Sequence, residues 1–127
     1  MIEFKLGADG LIPVIIQDTD SGEVLMLAYM DLEAVKRTLK ERVTVFYSRS
    51  RKSYWVKGES SGHTQQVMQV LTDCDQDTLL IRVKQKGGAC HLGYRSCFVN
   101  VIDEEGNIEK VTQNKLFDPA WVYKNQK

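Results

Sequence analysis

Gln66-Val67-Met68-Gln69-Val70-Leu71, Asp73-Cys74-Asp75-Gln76-Asp77 and Thr78-Leu79-Leu80-Ile81-Arg82-Val83 follow one another almost without a break. The outer two segments are rich in branched apolar residues and read as strands. Between them lie residues that favour a turn, so Asp73 to Asp77 is expected at a hairpin bend or just before it. If that backbone is extended, Asp73, Asp75 and Asp77 face one side while Cys74 and Gln76 face the other. One short stretch then offers hard oxygens to Mg²⁺ and a soft sulfur to Zn²⁺. A tight bend blurs the alternation but keeps the carboxylates close. The plainer reading is an acidic, solvated turn; the embedded cysteine favours a metal.

The same strand-rich grammar extends in both directions. Ile12 to Gln17 and Glu23 to Ala28 flank Asp18-Thr19-Asp20-Ser21-Gly22 as a hairpin. Asp31 suits the N-cap of a helix over Leu32 to Lys40, in which Leu32, Val35 and Leu39 recur at helical spacing and should face the core. Val43 to Tyr47, Tyr54 to Val56, Cys97 to Ile102 and Ile108 to Val111 read as further strands. In the tail, Phe117, Trp121 and Tyr123 suggest a docked segment. The expected fold is α+β, predominantly antiparallel strands with one clear helix, in a single domain over residues 1–127.

Composition narrows the function classes. Seventeen basic and seventeen acidic residues cancel, which argues against a coat for nucleic acid or an anionic membrane. The first residues lack the apolar run of a signal peptide, and no apolar stretch is long enough to span a bilayer. Three cysteines leave at least one thiol outside any intramolecular bridge. A reducing, cytoplasmic setting is expected.

All three cysteines fall in two segments, the acidic one and Cys90-His91-Leu92-Gly93-Tyr94-Arg95-Ser96-Cys97. Three thiolates can hold a tetrahedral zinc and leave its fourth position open, the mark of a catalytic site. Gly87, Gly88 and Gly93 let the second segment fold around an ion. Alone, Cys90 and Cys97 would read as small buried core residues; Cys74 as a third sulfur shifts the balance. His91 can serve as a ligand, as a hydrogen-bonding partner of a ligand, or as a general acid/base. Gly58-Glu59-Ser60-Ser61-Gly62 is a polar loop able to cradle a phosphate, with Arg49, Arg51, Lys52 and Lys57 nearby in sequence. Trp55 can stack on a base or belong to the core. His63 reads as an ordinary loop residue. The nucleobase deaminase signature is absent.

Trp55-Val56-Lys57-Gly58-Glu59-Ser60-Ser61-Gly62-His63, Asp73 to Asp77 and Ala89 to Phe98 closely resemble phosphoribosyl-AMP cyclohydrolase, in the right order and with similar spacing. The likeness extends back to Leu11-Ile12-Pro13 and covers most of the chain. Ser60 stands where threonine is frequent and Gly88 where proline is; neither is a proposed ligand. The resemblance implies hydrolytic opening of the purine ring of phosphoribosyl-AMP between N1 and C6, the third step of histidine biosynthesis. It implies an intertwined homodimer with one Zn²⁺ per subunit, held by Cys90 and Cys97 of one chain and Cys74 of the other. It further implies Mg²⁺ on Asp73, Asp75 and Asp77. A zinc-bound hydroxide is then expected to attack C6, with His91 assisting proton transfer. Arg49, Arg51, Trp55, Lys57, Gly58, Glu59, Ser60, Ser61 and Gly62 are the expected substrate contacts. About thirty residues follow Phe98, which suggests a monofunctional enzyme. The competing class is a zinc-stabilised binding module whose metal is purely structural.

Overall fold

The computed structural model of the chain describes residues 1–90, 92–111 and 116. Its frame is a four-stranded sheet in the order β2-β1-β6-β5, formed by β1 (Ile12–Asp18), β2 (Val24–Met30), β5 (Gln65–Thr72) and β6 (Leu79–Gln85). Alternation decides which faces are buried. Ile12, Val14 and Ile16 of β1 and Leu79, Ile81 and Val83 of β6 all turn into one core. The β1–β2 and β5–β6 pairs are antiparallel, whereas β1 and β6 run parallel with Val14 opposite Leu79. That parallel pair qualifies the expected antiparallel pattern, and local turn signals do not report it because it joins strands far apart in sequence.

Helix α1 (Leu32–Glu41) follows β2 directly. Asp31 caps it by accepting from the Ala34 N–H at 2.8 Å, and Arg42 closes it in the left-handed region with its N–H on the Thr38 carbonyl. Ala34, Val35 and Thr38 are its buried residues. Leu32, expected inside, is exposed, because it begins the helix at the margin of the buried arc. Thr38 accepts from the Val45 N–H at 3.0 Å and donates to the Val45 carbonyl, fastening the helix to β3 (Val45–Ser48).

Strand β3 pairs with β4 (Ser53–Val56), and the buried Phe46 ring lies 4.8 Å from Trp55. Val43 makes only an isolated bridge to Gln66 instead of starting that strand. The last hairpin joins β7 (Asn100–Ile102) and β8 (Ile108–Val111) and leaves most of its side chains in solvent. The expected strand from Cys97 begins only at Asn100. The backbone before it is diverted when the Cys97 N–H bonds to the Leu25 carbonyl on β2. Phe117, Trp121 and Tyr123 lie outside the described residues. Among those that are described, no helix is long and apolar enough to cross a membrane.

Candidate active site and metal centre

Strands β3 and β4, the loop after β4 and the cysteine loop enclose a cleft of about 510 Å³. Arg51, Trp55, Lys57, Gly58, Glu59, Ser60 and Ser61 line it, together with Ala89 and Cys97. The loop after β4 owes its shape to Gly58, whose φ is +83°. A Cβ at that position would fall 2.5 Å from the His63 carbonyl carbon and the Thr64 nitrogen. Only glycine fits so close to another stretch of backbone. His63 itself packs its ring against Gly87, in keeping with a loop residue.

The cysteine loop is a compact hairpin. The Ala89 N–H bonds to the Arg95 carbonyl at 2.8 Å and the Cys90 N–H to the Tyr94 carbonyl at 3.0 Å. Its far limb is tied to the β1–β2 hairpin. Arg95 pairs with Asp18 at 2.9 Å and with Glu23 at 3.2 Å, and the Ser96 hydroxyl donates to the Val24 carbonyl at 2.7 Å. Buried Asp18 also accepts from the N–H and the hydroxyl of Ser21. Desolvation pushes its carboxyl up, but those bonds and Arg95 outweigh it and hold it below the usual range. The near limb meets the cleft through Lys57, whose ammonium donates to the Ala89 carbonyl at 2.6 Å.

Buried Cys90 and exposed Cys97 stand on the two limbs of that hairpin, close enough for the charge of Cys90 to act on the Cys97 thiol. Desolvation of its sulfur and the charge of Cys90 push the Cys97 thiol up to about 11, with Lys57 opposing. Burial pulls the Lys57 ammonium down, opposed by the same two sulfurs. A Cys97 thiol that resists ionisation, with the Cys90 sulfur on the facing limb, suits a divalent cation, which would supply the missing positive charge. The pair therefore fits zinc as two of its ligands.

Cys74 does not join them within one chain. It sits exposed on the turn between β5 and β6, where Asp73 N–H bonds to the Thr78 carbonyl and Gln76 adopts φ +62°. That tight turn replaces the alternation expected of an extended segment. Instead, the Asp73 carboxylate accepts from the Asp77 and Thr78 amides at 3.0 and 3.2 Å. Asp73, Asp75 and Asp77 each present an oxygen within 4.8 Å of the others, the one such ligand group among the described residues. Hydrogen bonding to Asp73, then desolvation and its neighbours' charges, push Asp77 up. Desolvation raises Asp73 too, yet bonds from Asp77 and the two amides leave it lowered. Three oxygens so spaced fit a hard cation, which would relieve that repulsion.

Of the other expected contacts, Arg49 lies outside the cleft lining, its guanidinium 4.1 Å from the centre of the Tyr29 ring. Gly62 also stands outside the lining, and His91 is outside the described residues. Met26, Ser48 and Ser50 enter the lining without having been singled out from sequence. The Ser48 and Ser50 hydroxyls, 3.3 Å apart, lie in the same Ser48 to Arg51 run that carries the basic residues.

The family pattern described as phosphoribosyl-AMP cyclohydrolase matches residues 26–99. A phosphoribosyl-AMP cyclohydrolase of Geotalea daltonii is 56% identical over 121 residues, covering 94% of this chain and 93% of its own. One from Chlorobium chlorochromatii is 51% identical over 94% of this chain and 86% of its own length. The Haloquadratum walsbyi enzyme of that name is 51% identical across 96% of this chain and 89% of its own.

Proposed function

The chain belongs to the phosphoribosyl-AMP cyclohydrolase family of enzymes, and on that premise we propose that it opens the purine ring of phosphoribosyl-AMP at N1–C6 by adding water. This is the third step of histidine biosynthesis, carried out here by one domain over residues 1–127 in the cytoplasm. The observation that carries the assignment is the hairpin that sets Cys90 and Cys97 on its two limbs, beside the cleft that Trp55, Lys57 and the Gly58 to Ser61 loop line.

Cys90 and Cys97 hold zinc together with Cys74 of a second subunit. Bound there, zinc supplies Lewis acidity that activates a water molecule for addition to the ring carbon. Separation of Cys74 from the other thiols supports sharing between chains. So do the exposed apolar side chains of Phe98, Ile102, Ile108 and Val111, which a partner would cover in an intertwined homodimer. Asp73, Asp75 and Asp77 hold Mg²⁺.

The chain's own residues do the rest. Trp55, half-buried against Phe46, offers a ring face to the base. Arg51 and Lys57, with Gly58, Glu59, Ser60, Ser61 and Gly62, position the ribose phosphates; Arg49 joins them by leaving the Tyr29 ring. His91, next to Cys90 in sequence, passes a proton to the departing N1.

Ultraviolet absorbance of the protein with phosphoribosyl-AMP and Mg²⁺ tests this directly. Ring opening should stop when a chelator strips zinc and return when zinc is restored. Folded, zinc-loaded protein that leaves the ring intact would overturn the assignment.

A further inference from the structure

Lys57 stands where the cleft and the thiol loop join. Its own N–H is fixed on the Thr44 carbonyl at 3.1 Å, and its side chain passes along Trp55 with the ammonium 5.6 Å from the ring centre. From there it donates to the Ala89 carbonyl at 2.6 Å, a short charge-assisted bond. Ala89 is itself buried at the neck of the loop, where its N–H is already committed to Arg95. The loop is therefore gripped from two sides. Arg95, Ser96 and the Cys97 N–H hold the limb leading to Cys97 against β1 and β2. Lys57 holds the limb leading into Cys90.

We infer that Lys57 is a positioning residue for the zinc as well as a wall of the cleft: by clamping the Ala89 carbonyl it sets Cys90 at the separation from Cys97 that a single ion requires. The inference rests on the assignment of zinc to these thiols. Charge points the same way. Three thiolates around Zn²⁺ leave one surplus negative charge, and the partly buried Lys57 ammonium at the neck of their loop offsets it. An aliphatic side chain of the same length would neither hold the carbonyl nor offer a charge. Groups that orient a ligand from behind typically change metal affinity about 10- to 100-fold when removed.

The test is zinc affinity, read by competition with a chromogenic chelator on wild type, Lys57→Met, Lys57→Arg and Arg51→Met. Lys57→Met should bind zinc at least about tenfold more weakly. Lys57→Arg, still a charged donor, should recover most of that loss. Arg51→Met, which alters the cleft alone, should bind as wild type does. Should Lys57→Met not fold, Lys57→Leu reads the same quantity, also without a donor. Wild-type affinity in Lys57→Met, or in Lys57→Leu where it stands in, overturns the clamp while leaving the zinc site intact. A wild type that binds no zinc overturns the site itself, and the clamp with it.

Discussion

Mixing two inactive variants should restore about a quarter of the activity if zinc is shared between subunits. The reasoning starts from register. The Cys97 N–H is fixed on Leu25, which lies level with Ile16 and Gln17 on β1 and thus with Ile81 and Arg82 on β6. Cys74 stands two residues past Thr72, which is opposite Leu79 on the far edge strand β5. Three strand spacings across the sheet and two to three residues along it separate those anchors by roughly 15 Å. Two sulfurs on one zinc, each about 2.3 Å from the metal, can be no more than about 4.6 Å apart. Among the described residues the three cysteines accordingly form no ligand group within one chain.

In a two-fold dimer, each site then takes Cys90 and Cys97 from one chain and Cys74 from its partner. Cys74→Ala and Cys97→Ala should each be inactive alone. A heterodimer of the two has one site with all three thiols and one site lacking two. Random exchange makes about half the dimers mixed, and each of those holds one good site in two, so zinc content and turnover should both reach roughly a quarter of wild type. The assay is zinc analysis and ring-opening rate after denaturing and refolding the equimolar mixture, with differently tagged chains to prove exchange. Proven heterodimers that remain inactive and zinc-poor would refute sharing across the interface.

Replacing His91 with alanine should leave zinc bound and lower kcat by about 10²- to 10⁴-fold; an unchanged kcat at neutral pH would remove it from proton transfer. Asp18→Asn should destabilise the fold by about 2 kcal/mol at pH 7, since three hydrogen bonds lose a charged acceptor while Arg95 keeps Glu23. Because the folded Asp18 carboxyl is lowered, its contribution is present above about pH 4 and disappears as pH falls through the folded value. The gap in urea stability between Asp18→Asn and wild type should therefore narrow in acid, and a constant gap from pH 7 to pH 3 would contradict the ion-pair account. Gly58→Ala places a Cβ against the His63–Thr64 backbone at positive φ; it should cost about 3 kcal/mol of stability and lower kcat/KM at unchanged zinc content, which calorimetry, kinetics and metal analysis would show.

Local chemistry made most of the elements legible. Asp31 as cap, the Asp18 to Gly22 hairpin and the strands around the acidic turn depend on neighbours in sequence, and they stand where composition put them. Leu32 and the start of the Cys97 strand did not, for one reason. Each is decided by what lies across the fold: the margin of a buried arc for one, the free edge of β2 for the other. The parallel pairing of β1 with β6 is likewise invisible to periodicity, since both strands alternate in the same way whichever direction their neighbour runs.

The site divides along the same line. Residue types pointed to two candidate metal-binding segments, because all three cysteines and a cluster of three aspartates fall in two short stretches. Sequence spacing carried no information on which thiols meet. Fifteen residues lie between Cys74 and Cys90 and six between Cys90 and Cys97, yet the first gap contains all of β6 and the second only a hairpin. The strand that carries the chain away from Cys74 is central to the sheet, so shortening it to bring the three sulfurs together would remove Leu79, Ile81 and Val83 from the core. On the proposed assignment of zinc to three cysteines, the third would come from another copy of the chain, which would make the dimer a condition of the chemistry.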